Sequence, residues 1–330
     1  MDIQRKFFFI LIALLVSAPG RTRAANITVD ASSTCTLADA IIAANNNAVT
    51  GGCPAGVNGA DTIILKTDIS LTAALPEIST AITLEGGGYT IDGNKIVNNV
   101  LHITASGNLT LNETTVTGGN AVTSGYGGGI NNKGIVELNS CTISHNSAEP
   151  DGGGIDNSGT LTLNNSTVSH NSAQYGGGLK NSSQGKATVN NSTISDNSAQ
   201  VDGGGIENNG TLTLNNSTIS HNSADIKGGG IEIWNEDGSI TLTTVTLKNS
   251  IISGNTVVSN SNNGYEIYVE AGSSVTANSY NLFGHSGETK GEAFHDFIPG
   301  SSDVSATSDG NLLEPPILSA ILHPLADNGG

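Results

Sequence analysis

The stretch GGGIDNSGTLTLNNSTVSHNSAQY, residues 152–175, decides the fold because the chain repeats it. A similar copy precedes it at residues 127–151, two more follow at 176–202 and 203–227, and a fifth begins at residue 228. The copies start 25, 24, 27 and 25 residues apart. A regular period of roughly 20–50 residues is typical of a solenoid or another array of stacked repeats. The repeats therefore predict a stacked architecture for this part of the chain.

Each copy contains three short runs in which every second residue is apolar, separated by Gly, Asn and Ser. Such alternation puts one residue in two on an inner face, and runs this short cannot bury that face alone. Stacking the copies aligns aliphatic residues from coil to coil. One predicted column contains Ile130, Ile155, Leu179, Ile206 and Ile231. The sequence thus predicts an all-β, right-handed parallel β-helix with three short strands per coil of about 25 residues.

An asparagine recurs after the third run of each copy. The predicted column is Asn146, Asn171, Asn197 and Asn222, whose side-chain amides would form a hydrogen-bonded ladder at one corner. Leucine-rich horseshoes and propellers are alternative repeat folds, but the copies lack the helical segment or the Trp-Asp pair that those folds need. The composition also favours a narrow solenoid interior, since 43 of 330 residues are glycine and only 4% are aromatic.

The first 24 residues have the features of a secretory signal. Arg5 and Lys6 precede an apolar run at residues 7–16, and a small-residue cleavage site ends at Ala24. The apolar run is shorter than the ~20 residues that span a bilayer. We therefore expect residues 1–24 to be a signal peptide and the mature chain to be secreted or displayed on a cell surface. Membrane association would need an anchor that this chain does not contain.

The mature chain is strongly acidic. Without residues 1–24 it has 8 basic and 28 acidic residues, and it contains no arginine. Such a surface repels nucleic acids and anionic membranes, so neither is expected as a partner.

Residues 25–60 are predicted to form an N-terminal cap. Cys35 and Cys53 lie 18 residues apart in this exported segment, where an oxidising compartment favours a disulfide between them. The sequence TLAD from Thr36 matches a capping box that opens a short apolar helix over residues 37–44. A helix at this place would cover the open end of the solenoid and prevent edge-to-edge association.

The coils are predicted to occupy residues 61–283, with degenerate strands before and after the regular copies. Residues 284–330 are predicted to form an irregular tail, a loose flap or linker that belongs to an incomplete C-terminal module. Cys141 takes the place of a serine in the later copies, and we expect it to be an unpaired variant of the repeat.

Several segments resemble known bacterial exported proteins. Residues 35–41 (CTLADAI), followed by DTI at 61–63, resemble the CSLREA segment that opens many exported β-helix proteins, with Ala-Asp in place of its Arg-Glu pair. Residues 249–255 (NSIISGN) and 325–330 (LADNGG) resemble the choice-of-anchor module of the same proteins. The GGGI and ISHN elements are similar to the repeats of polymorphic outer membrane proteins. The resemblance implies an exported β-helix, secreted or displayed on the bacterial outer cell surface, and these families share no common catalytic motif.

An enzyme is one functional alternative, because parallel β-helices include polysaccharide lyases and glycoside hydrolases. Lyases of this fold use an arginine base, which the mature chain lacks, and the Asn-Thr-Asp, Gly-His-Gly and Arg-Ile-Lys elements of the hydrolases do not occur. A charged row does follow the Gly triplets: Asp156, Lys180, Glu207 and Glu232. Since adjacent coils lie ~4.8 Å apart, Glu207 and Glu232 could approach the ~5 Å separation of a retaining glycosidase pair. The favoured interpretation is a solvated charge ladder, because fold alone does not imply function.

Two further sets of residues are candidate binding sites. The histidine row consists of His145, His170, Asp196 and His221, one residue before each ladder asparagine. Stacked imidazoles with a carboxylate could hold a divalent metal or respond to pH near 6–7. The alternative is an exposed corner copied by repeat duplication. Tyr126 and Tyr175 each precede a Gly triplet and could form a sugar-stacking platform, or simply lie on the surface.

The sequence as a whole favours a secreted or cell-surface repeat protein with a structural, adhesive or ligand-binding role and no cofactor. A glycan or a host or cell-surface protein is the expected partner. The alternative is an exported polysaccharide lyase or glycoside hydrolase, with Glu207 and Glu232 as its catalytic residues.

Overall fold

The computed structural model describes residues 24–122, 125–235, 243–259, 263–277, 279–285 and 288–308. The predicted signal peptide, apart from Ala24, and the predicted tail beyond residue 308 lie outside these ranges. Within them the chain winds into an all-parallel, right-handed β-helix of about nine turns. The predicted fold class is confirmed.

Four parallel sheets of described strands run along the helix axis. Sheet I consists of Asn26–Val29, Asp61–Leu65, Ala81–Glu85, Asn108–Asn112, Ile135–Asn139, Thr160–Asn164, Lys186–Asn190, Thr211–Asn215, Thr244–Lys248 and Ser274–Thr276. Sheet II consists of Leu101–Ile103, Ile130–Asn132, Ile155–Asn157, Leu179–Asn181, Ile206–Asn208, Ile231–Ile233, Ile267–Val269 and Phe294–His295. Sheet III consists of Ile69–Ser70, Thr90–Asp92, Thr115–Thr117, Thr142–Ser144, Thr167–Ser169, Thr193–Ser195, Thr218–Ser220, Ile251–Ser253, Leu282–Phe283 and Val304–Ser305. Sheet IV consists of Asn120–Ala121, Ser147–Ala148, Ser172–Tyr175, Ser198–Asp202, Ser223–Ala224 and Thr256–Val257.

Sheet IV adds a short fourth strand to the three that the sequence predicts for each coil. In the copy at residues 152–175, this strand is Ser172–Tyr175, and only Ala173 of its four residues is buried. A single small inward residue produces no visible alternation of apolar and polar residues, which explains why the sequence does not reveal the strand.

The interior is filled by columns of aliphatic side chains in register. Ile130 pairs with Leu101 in the preceding coil and with Ile155 in the following one. All five residues of the column predicted from the repeats are fully buried. Because side chains alternate strictly along a strand, a slip of one residue would turn this whole column outwards, so the apolar column fixes the register.

The predicted asparagine ladder is confirmed and reaches one coil further, to Asn255. The side-chain Nδ2 atoms donate to the Oδ1 atoms of the next coil along the series Asn146, Asn171, Asn197, Asn222 and Asn255, at distances of 3.1, 3.0, 2.9 and 2.9 Å. The backbone amide of each of the first four residues donates to the same oxygen. The ladder thus satisfies buried polar groups at the corner between sheets III and IV.

The helix and the disulfide predicted for residues 25–60 are present, but the strand Asn26–Val29 of this segment already belongs to sheet I, so the coils begin before residue 61. Helix α1 (Leu37–Asn46) extends two residues beyond the predicted helix, and its N-cap Thr36 accepts a hydrogen bond from the backbone amide of Asp39 at 3.1 Å. The Cys35–Cys53 disulfide is present. The apolar side of α1, including Ile41, is buried against the first strands of sheet I, so the helix covers that end of the core.

The prediction of an irregular tail from residue 284 is wrong for the part that the structure describes. Helix α2 (Lys290–Ala293) follows residue 284, and the strands Phe294–His295 and Val304–Ser305 continue sheets II and III. Phe283, Phe294 and Phe297 pack edge to face with ring centroids 5.2–6.0 Å apart. These aromatic rings replace the aliphatic columns at this end, so the repeat pattern in the sequence breaks although the coiling continues.

Among the described residues, no helix is both long enough and apolar enough to cross a membrane. Cys141 is buried and unpaired, as predicted. Burial raises the pKa of its thiol to about 11, so the reactive thiolate is suppressed at neutral pH.

Candidate ligand-binding cleft

Two rows of side chains approach each other beside the Gly triplets. The charged row lies at the centre of the sheet II strands, where Asp156, Lys180, Glu207 and Glu232 are paired from coil to coil. The pre-glycine row consists of the residues directly before four of the triplets, Asp151, Tyr175, Asp202 and Lys227.

The first glycine of each triplet makes the bend that joins the two rows. Gly203 has φ of 67°, and a Cβ atom built on it would lie 2.6 Å from the Cβ atom of Glu207. A side chain at this position would therefore collide with the charged row, while glycine adopts positive φ without penalty. The bend turns Asp202 back towards Glu207, and the same geometry recurs at Gly228 next to Glu232.

These rows enclose a cavity of about 460 Å³, which we call the charged cleft. Its lining consists of Pro150, Asp151, Tyr175, Lys180, Asp202, Glu207, Lys227, Glu232, Trp234 and Glu270. Among the described residues, the lining thus contains five carboxyl groups, two amino groups and two aromatic side chains. A cavity with a few convergent polar groups and aromatic walls is the usual form of a small-molecule site.

A buried ion pair lies at the centre of the charged cleft. Lys180 Nζ donates to Glu207 Oε1, and the Nζ atom lies 5.9 Å from the ring centroids of both Tyr175 and Trp234. Glu207 Oε2 is buried and has no hydrogen-bond partner among the described residues. A buried carboxylate oxygen without a partner is costly, so it favours a ligand that donates a hydrogen bond there.

Burial changes the acidity of the glutamates in the cleft. It raises the pKa of Glu207 to about 7, although the positive charge of Lys180 acts in the opposite direction. Burial, followed by the negative charge of Glu207, raises the pKa of Glu232 well above its ordinary value. The acid form is thus favoured at both glutamates, but Lys180 partly offsets the effect of burial on Glu207, while the charge of Glu207 adds to it at Glu232.

A second cation closes the far end of the charged cleft. Lys227 Nζ lies 2.8 Å from Glu270 Oε1 and 4.8 Å from the ring centroid of Tyr268. That ring stacks on His295 with centroids 4.2 Å apart. The cleft therefore ends against an ion pair supported by two stacked rings.

The interpretation of the charged row as a solvated ladder is wrong. Asp156, Lys180, Glu207 and Glu232 are only 5%, 7%, 1% and 2% exposed. Burial, followed by the charge of Asp151, also raises the pKa of Asp156 to about 7. The pre-glycine row covers these side chains, although strand alternation points them away from the core.

The two predicted tyrosines do not form one platform. Tyr175 lines the charged cleft, where its aromatic partner is Trp234, while Tyr126 is 47% exposed and is not part of the described lining. The aromatic pair available to a sugar ring is therefore Tyr175 and Trp234, and Tyr126 does not belong to it.

The histidine row lies at an exposed corner, as its alternative interpretation expects. The rings of His145 and His170 are stacked with centroids 5.0 Å apart, and Asp196 and His221 continue the row. All four residues have φ of 56–57°, which makes the bend before the asparagine ladder. The described part of this row provides no set of three clustered ligand atoms, and metal binding there stays a prediction.

The sequence predicts the charged row but not most of the other side chains that line the cleft. The missed side chains are Asp151, Asp202, Lys227, Trp234 and Glu270. A signal was available for three of them, because Asp151, Asp202 and Lys227 precede a Gly triplet as Tyr175 does. Trp234, the single tryptophan of the chain, was a further signal.

Comparison with known proteins agrees with the observed architecture. Residues 80–247 match the family model described as a right-handed β-helix region. Neither the curated proteins nor the solved structures contain a match. Since the matched region covers half of the 330 residues and the structure has the corresponding fold, the chain belongs to the right-handed β-helix family.

Proposed function

We propose that this chain is an exported β-helix protein that binds a neutral saccharide in the charged cleft. The observation that carries the proposal is the pair of aromatic side chains, Tyr175 and Trp234, whose ring centroids each lie 5.9 Å from Nζ of Lys180 in the buried Lys180–Glu207 ion pair. Aromatic faces pack against the apolar faces of sugar rings, while fixed charged groups exchange hydrogen bonds with hydroxyls. The cleft offers both kinds of contact within about 460 Å³.

The negative charge of the cleft favours neutral over acidic glycans as ligands. Carboxyl groups outnumber amino groups by five to two in the described part of the lining. A polyanion such as polygalacturonate would bring further carboxylates into this negative environment, which the Coulomb repulsion opposes. A neutral oligosaccharide avoids that repulsion and can donate hydroxyl protons to the unpartnered Oε2 of Glu207.

Export is supported by two independent features. Residues 1–24 have the pattern of a signal peptide. The Cys35–Cys53 bridge also supports export, because disulfides form and persist in oxidising compartments and are rare in the cytosol. A secreted or surface-displayed protein would meet glycans directly, which agrees with a binding or adhesive role.

Removal of an aromatic wall should weaken glycan binding at least tenfold. We expect the mature chain to bind neutral oligosaccharides on a glycan array, and Trp234→Ala to lose this binding because the sugar ring loses its packing surface. Tyr126→Ala is the control, since this tyrosine precedes a Gly triplet as Tyr175 does but is not part of the described lining of the cleft. Equal binding by Trp234→Ala, or a preference for polygalacturonate, would contradict the proposal.

The glutamate pair favours glycoside hydrolysis as a second candidate function. Glu207 and Glu232 are paired in adjacent strands of sheet II, whose spacing is ~4.8 Å, close to the carboxyl separation of retaining glycosidases. Glu232, with its raised pKa, would protonate the glycosidic oxygen as it leaves. Glu207, whose carboxylate form is favoured by its ion pair with Lys180 against the effect of burial, would attack the sugar carbon, and water would then release the product with Glu232 acting as the base.

Hydrolysis should depend on both glutamates and follow a bell-shaped pH profile. Glu207→Gln and Glu232→Gln are each expected to lower the rate on neutral oligosaccharides at least a hundredfold, because each removes one reacting group. The rate should fall at low pH, where Glu207 takes up a proton, and at high pH, where Glu232 loses its own. Reducing-sugar release measures the rate. Binding without any turnover would exclude the enzyme and leave the binding role.

A further inference from the structure

The third glycine of the triplet recurs in all five copies, and the coil that follows the fifth copy replaces it. In the copies, the third glycine precedes the inward Ile or Leu of sheet II, as Gly230 precedes Ile231. Ile231 pairs with Ile267 in the next coil, so the matching position there is Glu266. The backbone agrees, because Ile206 donates to the carbonyl of Gly230 at 2.9 Å and Ile231 donates to that of Glu266 at 3.0 Å. A glutamate therefore stands where each of the five copies has glycine.

The asparagine ladder accounts for glycine at this position in the copies. A Cβ atom on Gly230 would lie 2.8 Å from Nδ2 of Asn255, and one on Gly205 would lie 2.9 Å from Nδ2 of Asn222. Glu266 instead accepts hydrogen bonds from Asn255 Nδ2 at 2.6 Å and from the amide of Gly254 at 2.8 Å. Its carboxylate thus takes the acceptor role of the next ladder amide.

Ending the ladder does not require a charge, since a neutral amide would accept the same hydrogen bonds. Yet the buried Glu266 carboxyl lies beside a second buried carboxyl, that of Glu288. His285 Nδ1 lies 3.6 Å from Glu266 Oε1 and 3.2 Å from Glu288 Oε1. Glu288 is 2% exposed, and its Oε2 has no hydrogen-bond partner among the described residues. Two buried carboxyls and an imidazole nitrogen thus converge with unused binding capacity.

The spacing of these atoms matches a metal coordination sphere. One ligand atom from each residue lies within 4.8 Å of the other two. Around a tetrahedral zinc ion with bonds of ~2.1 Å, neighbouring ligand atoms lie about 3.4 Å apart, which is close to the two distances from His285 Nδ1. The half-exposed imidazole leaves the cluster accessible from solvent, so an ion could enter and keep a water ligand.

We propose that Glu266, His285 and Glu288 bind a divalent transition-metal ion of the zinc class. The imidazole nitrogen argues against calcium and magnesium, which prefer shells of oxygen atoms. The two carboxylates neutralise the charge of the ion, and the ion relieves the repulsion between them. Glu266 is held in place by the asparagine ladder, so the ladder positions the first ligand.

Titration calorimetry of the chelator-treated mature chain with zinc chloride tests the site. We expect one zinc ion per chain and a higher unfolding temperature in its presence, because an ion that binds only the folded state stabilises it. Glu288→Gln and His285→Ala should each weaken zinc binding at least tenfold. Glu266→Gln should do the same while keeping an acceptor oxygen for the ladder. Calcium at the same concentration should produce no binding heat.

The exposed pair His145 and His170 provides the matched control, since the described structure places no third ligand atom with them. His145→Ala should bind zinc as the unchanged chain does. The proposal is overturned if the unchanged chain does not bind zinc, if His285→Ala binds it equally well, or if His145→Ala abolishes binding. His285 is half exposed, so His285→Ala decides the question even if Glu288→Gln does not fold. Equal binding of calcium would overturn the assignment to the zinc class.

Discussion

Leu214→Asp is expected to destabilise the protein by more than about 4 kcal/mol. Leu214 is fully buried and lies between Val189 of the preceding coil and Leu247 of the following one. The substitution would place a charge in a dry aliphatic column without a partner, because the inward neighbours in both directions are apolar. Urea unfolding, followed by circular dichroism, measures the loss as a shift of the midpoint.

Thr213 provides the control, since alternation turns its side chain outwards beside the same residue. Thr213→Asp should change the free energy of unfolding by no more than about 0.5 kcal/mol. The damage from Leu214→Asp should also be local: hydrogen exchange should accelerate in neighbouring coils, while the distant strands Ala81–Glu85 and Leu101–Ile103 keep their protection. Equal tolerance at both positions, or protection lost evenly along the chain, would contradict coil-by-coil stacking.

Asn197→Ala is expected to cost at least about 3 kcal/mol, the second largest effect that we predict. Asn197 Oδ1 accepts hydrogen bonds from the backbone amide and the Nδ2 atom of Asn171, both at 3.0 Å. Its own Nδ2 donates to the carbonyl of Val168 at 3.0 Å and to Asn222 Oδ1 at 2.9 Å. Truncation therefore leaves two buried donors without their acceptor, each worth ~1–3 kcal/mol. Thermal and urea unfolding would measure the loss.

Asn190 gives a matched comparison because it belongs to another amide ladder. It donates to Asn164 Oδ1 and accepts from Asn215 Nδ2, both at 2.9 Å, but it is only half buried. Water can replace these partners, so Asn190→Ala should cost less than about 1 kcal/mol. Similar losses at both positions would mean that buried ladder bonds are no more important than exposed ones.

The repeats made the coils predictable because one physical pattern occurs many times. The inward column through Ile206 and the ladder through Asn197 both follow from the period, and the structure places them as expected. Where the period fails, so does the prediction. The strand Phe294–His295 was missed because aromatic residues at irregular spacing replace the aliphatic column.

The charged cleft shows a different limit. The register of Glu207 and Glu232 was predictable, since both stand at the same place in the repeat. Their burial was not, because it depends on side chains from the pre-glycine row and on Trp234, which local alternation cannot place. The break at Glu266 was visible in the sequence as GYEI after five GGGI or GGGL elements, but its meaning needed the position of Asn255.

The charged row places side chains at regular intervals along the axis of the β-helix. Each coil from residue 152 to residue 233 contributes one side chain to the row, and the backbone hydrogen bonds between coils set the spacing between neighbouring positions at ~4.8 Å. A substitution at one of these outward positions changes the chemistry at that position only and leaves the spacing of the row unchanged. Loss of the whole copy at residues 176–202 would remove Lys180 and bring Asp156 next to Glu207, a carboxyl beside a carboxyl. Duplication and deletion of coils can therefore change the chemistry of this surface without altering the scaffold that spaces it.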